Sequence, residues 1–342
     1  MGSSGKTLRR LLAGAALIGA LAIGLHITRR RPAIHRVAAD LRSPLLYLPL
    51  DLRTERSLRV VRSLSTRAAT PVASGVEVSE RTAEGTEGAP GPRVVIYERS
   101  DRQRPSGALL WIHGGGLVLG RPEQANTWCS ALAADLDVLV VSVDYRLAPE
   151  HPFPDGLTDC YDALVWLNDR AAELGVDPGR IAVGGDSAGG GLSAALCQLV
   201  RDRGGPAVCF QLLNYPMLDD RTVLRTDHDG RGEFVWTPAS NRFGWTSYLN
   251  QEPTPDDAPV HAAPARTADL AGLPPAWIGV GELDLFLDED VDYATRLEAA
   301  GVPCELHVEP GMYHGADQLL LKNQRMEEYR NRMVAALRAV VG

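Results

Sequence analysis

Gly185-Asp186-Ser187-Ala188-Gly189-Gly190 is the stretch that decides the fold. It follows the apolar run of residues 181–183 and precedes residues 189–200, which have the spacing of a helix. Gly-x-Ser-x-Gly between a strand and a helix is typical of a nucleophile elbow, a sharp turn that exposes a serine at its apex. Glycines flank the serine because strand and helix come so close there that a Cβ atom would collide. We therefore expect Ser187 at the apex.

A second glycine-rich stretch, His113-Gly114-Gly115-Gly116, directly follows the apolar run of residues 108–112. Such a loop can turn backbone N–H groups towards a developing oxyanion. The candidate donors are the N–H groups of Gly115, Gly116 and Ala188, the residue after the serine. We expect His113 and Gly114 to support the loop. A phosphate-binding loop is disfavoured because no Lys-Ser/Thr pair follows.

Strand-like and helix-like segments alternate along most of the chain. The predicted strands are residues 94–97, 108–112, 138–143, 181–183, 208–213, 276–280 and 303–308, and the predicted helices are residues 122–136, 155–174, 189–200 and 318–341. This alternation indicates an α/β fold with a mostly parallel central sheet flanked by helices. Residues 80–92, rich in Gly, Glu and Thr, predict a loop. Residues 219–264 interrupt the alternation and predict a cap over the site.

A serine nucleophile needs a base and a group that orients the base. His314 is the best candidate base because it lies in a turn-rich loop between the last predicted strand and the closing helix. The acid should lie between Ser187 and His314 in the chain. Glu282, Asp284 and Asp288 all follow the strand at 276–280. Asp284 is the first choice and Asp288 the second, because carboxylates at 288–290 suit the start of a helix.

At these residues the chain resembles the bacterial hormone-sensitive lipase-like family of α/β-hydrolases. The resemblance covers residues 108–342 and rests on the two glycine-rich strings, on residues 144–154 and on Tyr313-His314-Gly315. It implies the α/β-hydrolase fold, Asp284 as the triad acid, and a helical cap. The cap would comprise residues 32–75 and 219–264, and the catalytic domain residues 76–218 and 265–342. Residues 144–154 look like a structural brace in that family.

The expected activity is hydrolysis of a small-molecule or lipid ester through an acyl-enzyme intermediate. The mechanism needs neither a metal ion nor an organic cofactor. An amidase or deacetylase could use the same triad, since leaving-group preference depends on pocket shape. A non-catalytic ligand-binding homologue is the alternative of another class, and it predicts a broken triad.

The distribution of charged and apolar residues suggests which partners the protein has and where in the cell it is located. A net charge of −8 without a long basic run after the N-terminal region gives no sign of nucleic-acid binding. Residues 11–28 are apolar between basic flanks, so residues 1–31 resemble a membrane anchor or a signal segment. The heavier basic flank on the C-terminal side favours membrane association with a cytoplasmic catalytic domain. The alternatives are export or a soluble cytoplasmic enzyme, with residues 11–28 as a cap helix.

Five scattered cysteines predict free thiols, and the oligomeric state stays open.

Overall fold

The computed structural model describes residues 28–48, 51–65, 70–86 and 90–342. Its strands are β1 (Val76–Glu84), β2 (Pro90–Arg99), β3 (Ser106–Ile112), β4 (Leu139–Asp144), β5 (Val176–Asp186), β6 (Phe210–Asn214), β7 (Ala276–Gly281) and β8 (Cys304–Glu309). They form a sheet of order β1-β2-β4-β3-β5-β6-β7-β8. The first two strands are antiparallel to each other and β2 is antiparallel to β4, whereas all the other pairs are parallel. The predicted mostly parallel sheet is confirmed.

Helices cover both faces of this sheet. The α-helices of the described residues are α1 (residues 28–36), α2 (Glu55–Ser65), α3 (Asn126–Leu136), α4 (Asp155–Asp169), α5 (Ala171–Leu174), α6 (Ala188–Arg203), α7 (Pro238–Leu249), α8 (Leu287–Ala299), α9 (Ala316–Leu319) and α10 (Gln324–Val341). The first face carries α4, α6 and α8, and the second carries α3 and α10. The α/β fold class is therefore also confirmed.

Strand β3 shows why the central strands are continuous apolar runs. Its Leu110 and Ile112 belong to the core shared with α4 and α6, whereas Leu109 and Trp111 belong to the core shared with α3 and α10. Side chains alternate between the two faces of a strand, and both faces are covered here. Every residue of β3 is consequently buried.

The structure corrects the expected loop at residues 80–92. Most of this stretch belongs to the antiparallel pair β1 and β2. Strand β1 lies at the edge of the sheet, and Ala83 is its one buried residue. An edge strand with both faces largely in solvent has no apolar run, and therefore no strong strand signal.

Two predicted helices begin or end differently in the structure. Residues 155–174 form α4 and α5, which are separated at Arg170. The closing helix α10 starts at Gln324 rather than at residue 318, because the Asn323 side chain caps it by accepting a hydrogen bond from the Met326 N–H. Residues 316–319 form the separate short helix α9.

The N-terminal segment and the insertion at 219–264 lie against each other. The Arg30 guanidinium stacks over the Phe234 ring at 5.6 Å. The Leu52 N–H donates to the Ser240 hydroxyl at 2.9 Å, and the Thr237 hydroxyl donates to the Asp51 carboxylate at 2.7 Å. These contacts bring the two predicted parts of the cap together on one side of the molecule.

Two predictions concern membranes and cysteines. All but the last residue of the apolar run at 11–28 lies outside the described residues. Within the described ranges, no helix combines the length and apolar character that crossing a bilayer requires. The five cysteines are free thiols, as predicted, and Cys129, Cys160 and Cys197 are buried.

Candidate active site

The parallel sheet brings the predicted site residues to one edge. The glycine-rich loop follows β3, the elbow follows β5, residues 282–288 follow β7, and the His314 loop follows β8. The carboxyl ends of parallel strands lie at the same edge, which is where open α/β sheets bind their ligands. Segments separated by up to 200 residues in the chain therefore meet at this edge.

Ser187 occupies a strained turn between β5 and α6. Its backbone angles are φ 55° and ψ −119°, a conformation that costs energy for any residue with a Cβ. Its N–H donates to the carbonyl of Asn214 at 2.8 Å, which holds the turn against the end of β6. A Cβ at Gly185 or Gly189 would collide with the carbonyl oxygen of Ile112. The flanking glycines therefore allow the close approach that places the serine hydroxyl at the apex of the turn.

Ser187, His314 and Asp284 form a continuous chain of hydrogen bonds. His314 Nε2 lies 2.9 Å from Ser187 Oγ, and His314 Nδ1 lies 2.8 Å from Asp284 Oδ2. Asp284 is fully buried, and its second oxygen accepts a hydrogen bond from the Phe286 N–H at 3.0 Å. A carboxylate at Nδ1 favours the imidazole tautomer with its proton there, so Nε2 can accept the serine proton.

The alternative acids have other partners. Asp288 forms ion pairs with Arg225 and Arg231, each at 2.5 Å. Glu282 accepts a hydrogen bond from the Gly311 N–H at 2.8 Å. Neither Asp288 nor Glu282 contacts His314. Of the three candidate acids, Asp284 is the one that does. The described residues contain no cluster of three or more His, Cys, Asp or Glu side chains that could hold a metal ion.

The glycine-rich loop presents backbone donors beside the serine. Gly115 and Gly116 have φ values of 125° and 62°, which only glycine adopts readily. A Cβ at Gly116 would overlap the Trp236 indole, which lies directly against the loop. Among the described residues, the N–H groups of Gly115, Gly116 and Ala188 donate to no other group. All three are therefore free to bind a negatively charged oxygen.

His113 lies outside the hydrogen-bond chain of the three residues. Its Nδ1 is 2.8 Å from the carbonyl oxygen of Gly114, and its ring stacks on Tyr145 with centroids 4.4 Å apart. The Tyr145 hydroxyl donates to the His113 carbonyl at 2.9 Å. Burial lowers the pKa of His113, so its ring is held neutral. These contacts join His113 to the backbone of its own loop and to Tyr145.

Sequence reasoning did not find a second polar network behind the site. Gln318 Nε2 donates to Asp186 Oδ2 at 2.7 Å and to the Tyr215 hydroxyl oxygen at 3.1 Å. The Tyr215 hydroxyl donates to Asp317 at 2.8 Å, and its ring packs edge-on against His314 at 4.7 Å. The network thus joins the residue before the serine to the segment after the histidine.

Asp186 is one of two buried carboxylates in this network, and Asp317 is the other. Burial raises the pKa of Asp186 to about 6, and the nearby Asp317 carboxylate adds to the effect. The carboxylate also accepts a hydrogen bond from the Gly114 N–H. The only signal for Asp186 in the sequence is its place inside the elbow motif. Gln318 lies in no motif. Its hydrogen bonds with Asp186 and Tyr215 form only because the short helix α9 packs against the elbow.

Known proteins resemble this chain over most of its length. The α/β-hydrolase fold family matches residues 109–318. The carboxylesterase NlhH of Mycobacterium tuberculosis (strain ATCC 25618 / H37Rv) is 38% identical over 317 residues, which cover 91% of this chain and 97% of NlhH. The esterase LipI of the same strain is 35% identical over 296 residues, covering 86% of this chain and 92% of LipI.

The solved structure of a bacterial heroin esterase resembles this one, with a TM-score of 0.83 and 36% sequence identity. The match covers 90% of this chain and 99% of that esterase. An identity this high over nearly complete chains indicates common descent as well as a common fold. The chain therefore belongs to the α/β-hydrolase fold family, in its hormone-sensitive lipase-like branch, and is an enzyme of the carboxylesterase class.

Proposed function

We propose that this enzyme hydrolyses carboxylic esters through an acyl-enzyme intermediate on Ser187, with His314 as general base and Asp284 as the orienting acid. The observation that supports this most strongly is the buried hydrogen-bond chain from serine to imidazole to carboxylate, with links of 2.9 and 2.8 Å. These distances match the reach required of a nucleophile and its base.

The chemistry proceeds in two halves. Ser187 Oγ attacks the acyl carbon while its proton moves to His314 Nε2, and the carbonyl oxygen becomes an oxyanion. As the tetrahedral intermediate collapses, the bond to the alcohol oxygen breaks and that oxygen takes the proton from His314. Water then attacks the acyl-serine with His314 again as base, which releases the acid and restores Ser187. Asp284 stabilises the imidazolium in both halves.

The N–H groups of Gly115, Gly116 and Ala188 are the proposed oxyanion donors, and His113 and Gly114 support their loop. Ala188 is the first residue of α6, where a helix has unsatisfied N–H groups and a favourable dipole for negative charge. Gly115 and Gly116 approach from the β3 loop. Fixed donors of this kind stabilise the transition state without reorganising during the reaction.

We propose that residues 32–75 and 219–264 form the cap that shapes the substrate pocket. The Trp236 indole lies against Gly116, and it is held in place because its Nε1 donates to Asn241 at 3.1 Å. Helix α7 reaches the same loop, since a Cβ at Gly244 would lie 2.7 Å from the Gly116 carbonyl oxygen. Because the cap packs directly on the proposed oxyanion loop, it borders the space that the ester occupies.

Substitution of the nucleophile tests the proposal. We expect Ser187→Ala to lower kcat for a nitrophenyl ester by a factor on the order of 10⁶ because the acyl-enzyme can no longer form. Ser193→Ala is a matched control, since this buried serine of α6 donates to the Gly189 carbonyl and has no contact with His314. It should keep kcat within a few-fold.

Thermal unfolding of Ser187→Ala shows whether the variant is folded, and an organophosphonate probe should label the wild type but not the variant. Near-normal ester hydrolysis by the folded variant would refute the assignment of Ser187. Parallel assays with a matched ester and anilide should show faster cleavage of the ester. The opposite order would instead favour an amidase with the same triad.

A further inference from the structure

Charge is divided unevenly along this chain. Residues 1–67 contain 13 Lys and Arg residues but only 3 Asp and Glu residues, a formal charge of +10. The remaining residues contain 22 basic and 40 acidic side chains, a formal charge of −18. The net charge of −8 therefore conceals a basic N-terminal region attached to a strongly acidic catalytic domain.

The structure describes nine of these basic residues, all of them arginines between residues 29 and 62. Only Arg53 and Arg62 form ion pairs with carboxylates, with Asp51 at 2.6 Å and Glu150 at 2.7 Å. Three others donate to backbone carbonyls, namely Arg30, Arg36 and Arg42. The remaining four are exposed and have no partner among the described residues, namely Arg29, Arg31, Arg56 and Arg59. Seven of the nine described arginines thus form no ion pair with a carboxylate among the described residues.

Apolar side chains are exposed among these arginines. Leu45, Leu48 and Val60 have 48%, 46% and 58% of their surface exposed. On α2, Val60 follows Arg56 by four residues, a spacing that places the two on one side of a helix. Leu58, on the other side, is buried. The outer side of α2 therefore combines cationic and apolar side chains, although an exposed helix side is usually polar.

These residues belong to one region of the surface, which we call the α1–α2 surface (residues 29–48 and 51–62). The Arg30 guanidinium donates to the carbonyls of Leu46 and Leu48 at 2.5 and 3.2 Å, so the segment with the exposed leucines lies beside α1. Arg62, near the end of α2, donates to the carbonyl of Val118, two residues after the glycine-rich stretch, at 2.9 Å. The α1–α2 surface thus lies on the cap side of the molecule, next to the site.

We propose that the α1–α2 surface binds the face of an anionic phospholipid bilayer. Arginines near such a surface are attracted to its phosphate groups, and neighbouring apolar side chains can insert at the boundary of headgroups and acyl chains. In the chain, the α1–α2 surface directly follows the apolar run of residues 11–28, and this continuity favours a lipid surface over an acidic protein. The acidic catalytic domain is repelled by the same surface, so the molecule is oriented with its cap side towards the lipid.

Binding to vesicles tests this proposal with the full chain. The variant Arg29→Gln/Arg31→Gln/Arg56→Gln/Arg59→Gln removes the four unpaired charges. We expect it to bind phosphatidylcholine vesicles that contain phosphatidylglycerol about tenfold more weakly or worse in co-sedimentation at low salt. Its binding to vesicles of phosphatidylcholine alone should not change. Binding of the wild type to the anionic vesicles should weaken as salt is added, because exposed charges are screened.

The matched control is Arg81→Gln/Lys322→Gln/Arg332→Gln/Arg338→Gln, which removes four exposed charges outside the α1–α2 surface. It should bind anionic vesicles within about twofold of the wild type if the position of the charges matters. Thermal unfolding of both variants shows whether they are folded. Equal losses in the two variants, or unchanged binding of the first, would overturn the proposal. The test does not depend on the catalytic assignment.

Discussion

Charged and polar side chains have opposite surroundings at the proposed triad of Ser187, His314 and Asp284 and on the α1–α2 surface. At the proposed triad, Asp284 is fully buried, and both of its oxygens accept hydrogen bonds. On the surface, Arg56 and Arg59 are exposed and unpaired among the described residues. Buried polar groups need fixed partners because water is excluded, whereas exposed cations remain free to meet an external partner. The comparison predicts large losses of kcat from small changes in the first region and losses of vesicle binding from changes in the second.

After the loss expected for Ser187→Ala, the next largest effect distinguishes two neighbouring carboxylates. Asp284→Asn should lower kcat by a factor on the order of 10⁴, because an amide neither favours the required imidazole tautomer nor stabilises its cation. Asp288→Asn is the matched control, since Asp288 pairs with Arg225 and Arg231 rather than with His314. Steady-state kinetics on one soluble ester should show little change in kcat for the control. Similar kcat losses in both variants would contradict the distinct role of Asp284.

A smaller loss is expected at the glycine-rich loop. Gly116→Ala combines an unfavourable φ of 62° with a collision between the new Cβ and the Trp236 indole. We expect kcat to fall by about 100- to 1000-fold as the N–H donors are displaced. Gly75→Ala has the same backbone strain, with φ 78°, but its Cβ meets nothing within 4 Å. That control should lose stability without losing kcat, and an active Gly116→Ala enzyme would argue against this loop as the oxyanion site.

The smallest effect concerns stability and its dependence on pH. Burial raises the pKa of Asp186 to about 6, whereas an aspartate in an unfolded chain titrates near about 4. The folded state therefore holds this proton more tightly, and the contribution of Asp186 to the free energy of unfolding falls as pH rises from about 4 to about 6. Asp186→Asn lacks this titration. Its free energy of unfolding should gain up to about 3 kcal/mol relative to the wild type across that window.

Denaturant unfolding at several pH values between 4 and 7 measures this difference. Two parallel curves would show that Asp186 has the same proton affinity in both states. The buried network of Asp186 and Gln318 would then play no part in the pH response of the enzyme.

The sequence could predict those features of the site that depend on a few consecutive residues, but not those that depend on contacts between distant segments. The elbow at Ser187 and the glycines at 115 and 116 are short-range patterns, since strained turns and close backbone contacts restrict residue type over a few positions. The choice among Glu282, Asp284 and Asp288 could not be made from spacing alone. All three follow β7, and only the folded loop brings Asp284 within 2.8 Å of His314.

The difference between short-range patterns and long-range contacts also explains which parts of the fold were predicted and which were not. Strands β3 and β4 are buried on both faces and were predicted, whereas the exposed edge strand β1 was not. Gln318 was also missed, because its contacts with Asp186 and Tyr215 join residues more than 100 positions apart. Such contacts place few restrictions on neighbouring residues and so produce no motif.

The sequence by itself determined the α/β alternation, the family, the candidate serine and histidine, and the segregation of positive charge near the N-terminus. These depend on patterns within a short window or on simple counts. Only the tertiary structure decided which carboxylate meets His314, which polar residues lie behind the elbow, and which arginines remain unpaired. Those properties depend on packing between distant segments, where burial and distance, rather than residue type, determine which groups interact.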